Sequence, residues 1–295
     1  MKDAFAVQDE IALDVAGTLA AHVGKAEAER TLLKPPTSWQ SYDFYMRAAE
    51  VYATFHRRMQ VGTIYETRRL LDQCLALEPG FVRTYVLYSS TLVSTWALAL
   101  DDDHLKPATL ERAHKWAESA VQLDPNLPQA RAQMAYVLCF QGSRAAAVAE
   151  FERAIALNPN FTDWRFAPVL ISAGQAQRAL EVANAHLRVD PFALPIARGF
   201  LGLAYLMLRK HSEAVGPLRE FVSQAPNHRP GRVWITAAYA HLGEIEEARR
   251  HAAQLLRMDP NLIATKRART TDDFWLPDDL EHLFDGLHKA GLPVA

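Results

Sequence analysis

The sequence predicts an all-α fold, an α-solenoid of stacked helical hairpins with atypical terminal helices. Three observations predict it. Proline recurs in near-identical settings: LDPN at 123–126, LNPN at 157–160, VDPF at 189–192, QAPN at 224–227 and MDPN at 258–261. Pro125, Pro159, Pro191, Pro226 and Pro260 are spaced 34, 32, 35 and 34 residues apart, and LEPG at Pro79 is a weaker copy. A fixed period of this length with a helix-stopping dipeptide marks a helical-hairpin solenoid. Between the prolines, apolar residues recur at helical spacing around a turn glycine, as at Gly142, Gly174 and Gly243. Helices of about 12–15 residues are marginal alone in water, so their stability must come from stacking.

The elements follow in order. Residues 1–36 hold an amphipathic helix at 3–23, with Phe5, Ile11, Val15 and Leu19 at helical spacing, then a break at Lys34-Pro35-Pro36-Thr37. The solenoid spans 37–260, with hairpins at about 39–79, 81–125, 127–159, 161–191, 194–226 and 228–260. The first is aromatic, with Trp39, Tyr42, Phe44, Tyr45, Tyr52 and Phe55. The second is overlong, with an insertion within 95–110. Such an insertion maps to an inter-helix loop at a binding rim, or to an elongated helix with a surface turn.

The third hairpin is the clearest. Ala130, Met134, Val137 and Leu138 give its first helix an apolar rhythm. Small Ala135, Ala147 and Ala154 let the two backbones approach, and Phe151 and Leu157 supply the larger packing groups. The fourth is a shortened copy. The fifth and sixth repeat the scheme with Gly202 and Ala214, then with Ala248. Residues 261–295 are expected to cap the stack: a helix starting at 261–270, a linker with Phe274, Trp275 and Pro277, and a last helix near 278–289.

Composition narrows the function. The chain of 295 residues is 49% hydrophobic and 22% charged, which excludes broad disorder. A formal charge of −2 gives no electrostatic case for nucleic acid or an anionic membrane. Cys74 and Cys139 belong to no CxxC pair, so neither a zinc site nor a disulfide scaffold is indicated. They read as buried small hydrophobes, and the expected location is cytoplasmic. The amino terminus lacks a secretory apolar core, and no apolar run reaches the length of a membrane span.

The hairpins resemble tetratricopeptide repeats. The family's small-residue positions are matched at Ala135, Ala147, Ala154, Gly202, Ala214 and Ala248, and its terminal proline is matched as well. Thr236 stands where glycine or alanine is usual. The resemblance implies a right-handed superhelix whose first helices line the concave face. A narrower likeness covers the ends. DAFAVQDEIALDVAGTLAAHV (3–23) and DDLEHLFDGLHKAGLP (278–293) resemble segments of bacterial class III adenylate/guanylate cyclases with carboxy-terminal tetratricopeptide regions. Related regions follow winged-helix DNA-binding domains in some transcriptional regulators. The resemblance covers almost the whole chain, with the catalytic or DNA-binding module expected upstream of it.

No catalytic site and no cofactor are expected. Class III cyclases hold two metal-binding aspartates in a mixed α/β domain, and this sequence offers no strand–turn–helix context for them. Asp101-Asp102-Asp103-His104 is the densest ligand-like cluster and reads as a solvated turn or as a cation site. No histidine pair has the spacing of a helical zinc site, and there is no phosphate-binding glycine loop.

Candidate partner-binding residues come in two groups. Gln129, Tyr136, Leu203, Met207, Val233 and His241 fall on the expected concave face and suit an apolar helix or extended peptide. The alternative is that the chain's own ends close part of this surface. Arg131, Arg165, Arg198 and Arg232 recur at spacings of 34, 33 and 34. Such a ladder either takes carboxylates and phosphates or fixes hairpin stacking. The expected function is a non-catalytic interaction or regulatory scaffold with a protein or peptide partner, self-association included. Two alternatives stand beside it: part of an adenylate/guanylate cyclase, or the arm of a winged-helix regulator.

Overall fold

The computed structural model describes residues 39–98, 100, 106–190, 192–258 and 274–292. The predicted helix at 3–23, the Asp101–His104 cluster and the helix start at 261–270 lie outside these residues, as does part of the 95–110 insertion.

All thirteen described elements are helices, and twelve pair into six hairpins. The pairs are α1 (Trp39–Arg58) with α2 (Val61–Leu77), α3 (Val82–Leu98) with α4 (Pro107–Leu123), and α5 (Pro128–Phe140) with α6 (Arg144–Leu157). They continue with α7 (Phe166–Ser172) and α8 (Ala176–Val189), α9 (Pro195–Met207) and α10 (His211–Gln224), then α11 (Arg229–Leu242) and α12 (Ile245–Met258). The last helix, α13 (Pro277–Lys289), has no hairpin mate among the described residues. No described helix is long and apolar enough to cross a membrane.

Local chemistry explains the punctuation. After α4, α6 and α8 the side chains of Asp124, Asn158 and Asp190 accept the backbone N–H two residues on, each at 3.0 Å. These Asx turns stop one helix and aim the chain at the next hairpin. Proline then opens α5 and α9, where its missing N–H costs no hydrogen bond. Inside the hairpins, Gly142, Gly174 and Gly243 adopt left-handed backbone at φ of 70°, 74° and 87°. The fifth hairpin places Arg209 there instead, at φ of 61°.

Small residues let the helices close. Ala135, Ala147 and Ala154 are fully buried. A Cβ at Gly202 would lie 2.5 Å from the Leu218 side chain and 3.2 Å from the Ala214 carbonyl. Successive first helices α3, α5, α7, α9 and α11 also pack side by side, so one core runs from the second hairpin to the sixth, while the first hairpin keeps clusters of its own.

Two features depart from a plain stack. The superhelix brings α1 back against α9, four hairpins on. The segment 274–292, expected as linker plus cap, runs along the hairpin turns as a strap. Phe274 is buried and stacks on Phe140 of the third hairpin at 5.2 Å. Arg144 donates to the carbonyls of Trp275 (2.9 Å) and Ser172 (2.7 Å). Leu276 meets Gly174 of the fourth hairpin, and Arg209 of the fifth donates to the Asp278 carbonyl at 3.3 Å. Helix α13 then packs on α11 of the sixth, with Gly286 against Ala237.

Candidate functional site

The arginine ladder is engaged within the chain. Arg131 reaches Glu150 at 3.1 Å and Arg198 reaches Glu220 at 2.6 Å, each on the second helix of its own hairpin. Arg232 donates to the Pro226 carbonyl at 3.0 Å and lies 3.2 Å from His251 Nδ1. Arg165 differs. It stands at the N-cap of α7, one step before the helix rather than inside it, and is only 7% exposed. It grips Asp163 through two nitrogens, at 2.8 and 2.6 Å, and donates to Gln133 Oε1 at 2.7 Å. The Arg165 charge holds the Asp163 carboxyl below its ordinary value against the opposing effect of burial.

Gln133 connects this pair to a buried polar seam. It accepts from Ser90 Oγ at 2.8 Å and donates to Ser89 Oγ at 2.9 Å. The Tyr52 hydroxyl donates to the Ser90 carbonyl and lies 2.8 Å from Ser94 Oγ. Burial pushes that phenol up to about 12. Buried polar groups must be paired, and here the pairing joins the first four hairpins.

Of the expected concave residues, Leu203 is fully buried and Met207 is buried, both within the continuous core. Val233 is half-buried. Gln129 lines a cavity of about 180 Å³ together with Tyr45, Arg83 and Arg165, and its Oε1 is buried without a hydrogen-bond partner. Tyr136 lines a second cavity of about 100 Å³, and Trp164 forms a wall of both.

The second cavity is an aromatic chamber with lining residues from every hairpin and from the strap. α1 contributes His56, α3 Ala97, α5 Tyr136 and Phe140, and the loop before α7 Trp164. Phe200 comes from α9, His228 and Trp234 from the start of α11, and Phe274 and Trp275 from the strap. The rings brace one another: Trp164 lies 5.9 Å from Phe200 at 9° between planes, and edge-on to Tyr136 at 5.2 Å. Burial pushes the His56 imidazole down to about 4, with Arg57 adding to the effect. Burial, then the neighbouring His56, pushes His228 down to about 3. His228 Nδ1 accepts from the Gly231 N–H at 3.0 Å, so its proton sits on Nε2. His56 Nε2 is buried without a hydrogen-bond partner.

A second histidine group holds the strap. His211 Nε2 lies 3.1 Å from His282 Nε2, and His241 Nε2–H donates to the His282 carbonyl at 2.9 Å. Ligand nitrogens of all three fall within 4.8 Å of one another. They fit a metal ion poorly. An imidazole ligates through its in-plane lone pair, and the His241 and His282 rings are stacked 3.8 Å apart at 11°. Two near-parallel planes at that separation share no ligation point. Burial lowers all three imidazoles, and their neighbours' charges reinforce this for His211 and His282, the latter pushed down to about 3.

The sequence singled out Tyr136, which lines the chamber, and His241, which lies against the strap instead, and it did not single out His56, Trp164, Phe200, His228 or Trp234. One signal was available: Phe200 and Trp234 are 34 residues apart, one full period. His56 and Phe274 lie outside the regular repeats and carry no such mark.

No protein-family model matches the chain. It is 25% identical over 142 residues to "Putative adenylate cyclase 3" of Rhizobium meliloti (strain 1021), covering 47% of this chain and 22% of that protein. It is 25% identical over 131 residues to "Transcriptional regulator HilA" of Salmonella typhimurium (strain LT2), covering 44% of this chain and 23% of the regulator. The chain thus spans less than a quarter of the length of these curated relatives. Among solved structures it superimposes on the "APC/C hetero-tetramer Cut9-Hcn1" with a TM-score of 0.55 at 17% identity, over 77% of this chain and 40% of that one. A thermophilic TPR protein of Thermus thermophilus aligns with a TM-score of 0.48, at 17% identity over 70% of this chain and 99% of that one. The fold is an all-α solenoid of tetratricopeptide type.

Proposed function

We propose that this chain is a non-catalytic regulatory and interaction module, the repeat arm of a signalling protein. One observation carries the reading. Similar regions occur in a protein described as a nucleotide cyclase and in a transcriptional regulator, whose output chemistries differ. A repeat type found beside such different outputs is expected to serve a task that does not depend on the output, such as receiving a signal or holding a partner. The geometry agrees with that task. Asp163 is locked in its ion pair with Arg165, and burial keeps the chamber histidines neutral, which suits packing and recognition.

With ATP or GTP and Mn²⁺, the purified chain is expected to form no cyclic nucleotide. Cyclic AMP or cyclic GMP made above a heat-killed control overturns the proposal. Which output the arm serves is read from the adjoining coding sequence. A nucleotide-cyclase domain there favours the cyclase setting, and a winged helix favours the regulator.

A further inference from the structure

We infer that the aromatic chamber is a receptor site for a small, uncharged planar ring bearing one hydrogen-bonding group, of the phenol or indole class. The inference stands apart from the choice of output domain. It rests on the walls, the size and one orphaned nitrogen.

The walls are mostly aromatic, with Ser94, Ala97, Leu98, Ile196 and Pro230 between the rings, and carry no carboxylate, ammonium or guanidinium group among the described residues. An anion would lose its hydration there without compensation, and a cation would meet ring faces alone, with no carboxylate among the described lining residues to balance it. Flat rings such as Trp164, Phe200 and Trp234 favour edge-to-face or offset contact with another ring. The space of about 100 Å³ is of the order that holds a single ring, since an engineered apolar cavity of about 150 Å³ takes up benzene.

The polar side chains of the lining are Ser94, His56 and His228, and of these His56 alone has a buried nitrogen without a partner. Its Nε2 is buried with no partner, although an unmade buried hydrogen bond costs about 1–3 kcal/mol. Such a group calls for an explanation. His56 lines the chamber, so a turn of its ring toward the space would let a hydroxyl or ring N–H supply the missing partner. The depressed proton affinity of His56 keeps it neutral, as a hydrogen bond with an uncharged ligand requires. The chamber also has no single owner. Its walls come from hairpins one to six and from the strap, so an occupant would touch both ends of the superhelix.

The test uses the purified full chain and four probes: phenol, indole, toluene and benzoate. Binding is followed by ligand-observed NMR and by tryptophan fluorescence. Phenol or indole is expected to saturate the site, with toluene about tenfold weaker because it lacks the hydrogen bond. Benzoate is expected not to bind. His56→Phe should weaken phenol by about tenfold and leave toluene unchanged or tighter. Ala97→Trp should fill the chamber and abolish both, with circular dichroism confirming the fold of each variant. The inference is overturned if neither phenol nor indole binds the folded wild type saturably. It is equally overturned if toluene matches phenol, or if binding survives both substitutions.

Discussion

Two arginines at equivalent repeat positions have different energetic roles because their surroundings differ. Arg198 pairs with Glu220, whose side chain is half exposed, and solvent screens such a pair to about 0–1 kcal/mol. Arg165 and Asp163 are both about 90% buried, and removing one partner of a buried pair costs about 3–5 kcal/mol. Arg165→Ala is therefore expected to lower the urea midpoint sharply and Arg198→Ala hardly at all. Equal losses from the two variants in parallel urea titrations would contradict this. The ladder itself was legible as a spacing of 33–34 residues. What each guanidinium touches was not, because periodicity fixes a position on a helix and says nothing of the neighbour across the gap. Arg209 makes the same point. It takes a left-handed backbone position that glycine fills in three other turns, at a cost of about 1–2 kcal/mol. Its side chain holds the Asp278 carbonyl, a contact glycine has no means to make.

At the scale of elements, the strap is held by titratable groups. His211, His241 and His282 bind protons less readily in the folded chain than in the unfolded one, chiefly because they are buried. Arg209 and Lys289 reinforce this for His211 and His241, whereas Asp285 opposes it at His241 and His282. The unfolded chain therefore takes up more protons on acidification. The stability tied to these groups is present above about 6.5, the ordinary imidazole value, and is lost as pH falls toward about 3 for His282. Protection factors for hydrogen exchange at 277–289 should fall between pH 7.5 and pH 5 more than those in α5. His282→Phe keeps a ring for the stack and removes one titrating group, so it should flatten that dependence. A uniform loss of protection along the chain, unchanged by His282→Phe, would refute the assignment. The existence of α13 was legible from its apolar spacing, and Pro277–Lys289 lies within one residue of the expectation at its start. Its site was not, because the contacts join His282 to residues 41 and 71 positions away.

At the scale of the molecule, repeat proteins usually behave as one-dimensional stacks in which each unit feels only its neighbours. Here the strap touches the third to sixth hairpins, and α1 closes back on α9. Both ties add long-range coupling and should make unfolding more cooperative. Wild type is expected to unfold in one transition. Phe274→Ala removes the ring stacked on Phe140, at about 3–5 kcal/mol, and should make far-UV and near-UV circular dichroism transitions separate. Coincident transitions in the variant would show that the strap adds no cooperativity. The solenoid of paired helices was legible because proline, glycine and alanine are forced wherever a helix must stop, turn or approach closely. The chamber was not, since it arises only when superhelical curvature brings α1, α9 and the strap together.

The strap also bears on how such a chain changes over generations. Solenoids readily gain and lose units, because a duplicated hairpin meets the same neighbours as its parent. In this chain Phe274, Arg209 and His241 mark fixed stations along a cord of set length. An extra hairpin between the third and the sixth would carry His241 out of reach of His282 while Phe274 stayed on Phe140. The cord counts the repeats, and a change in their number would have to be matched by a change in its own length.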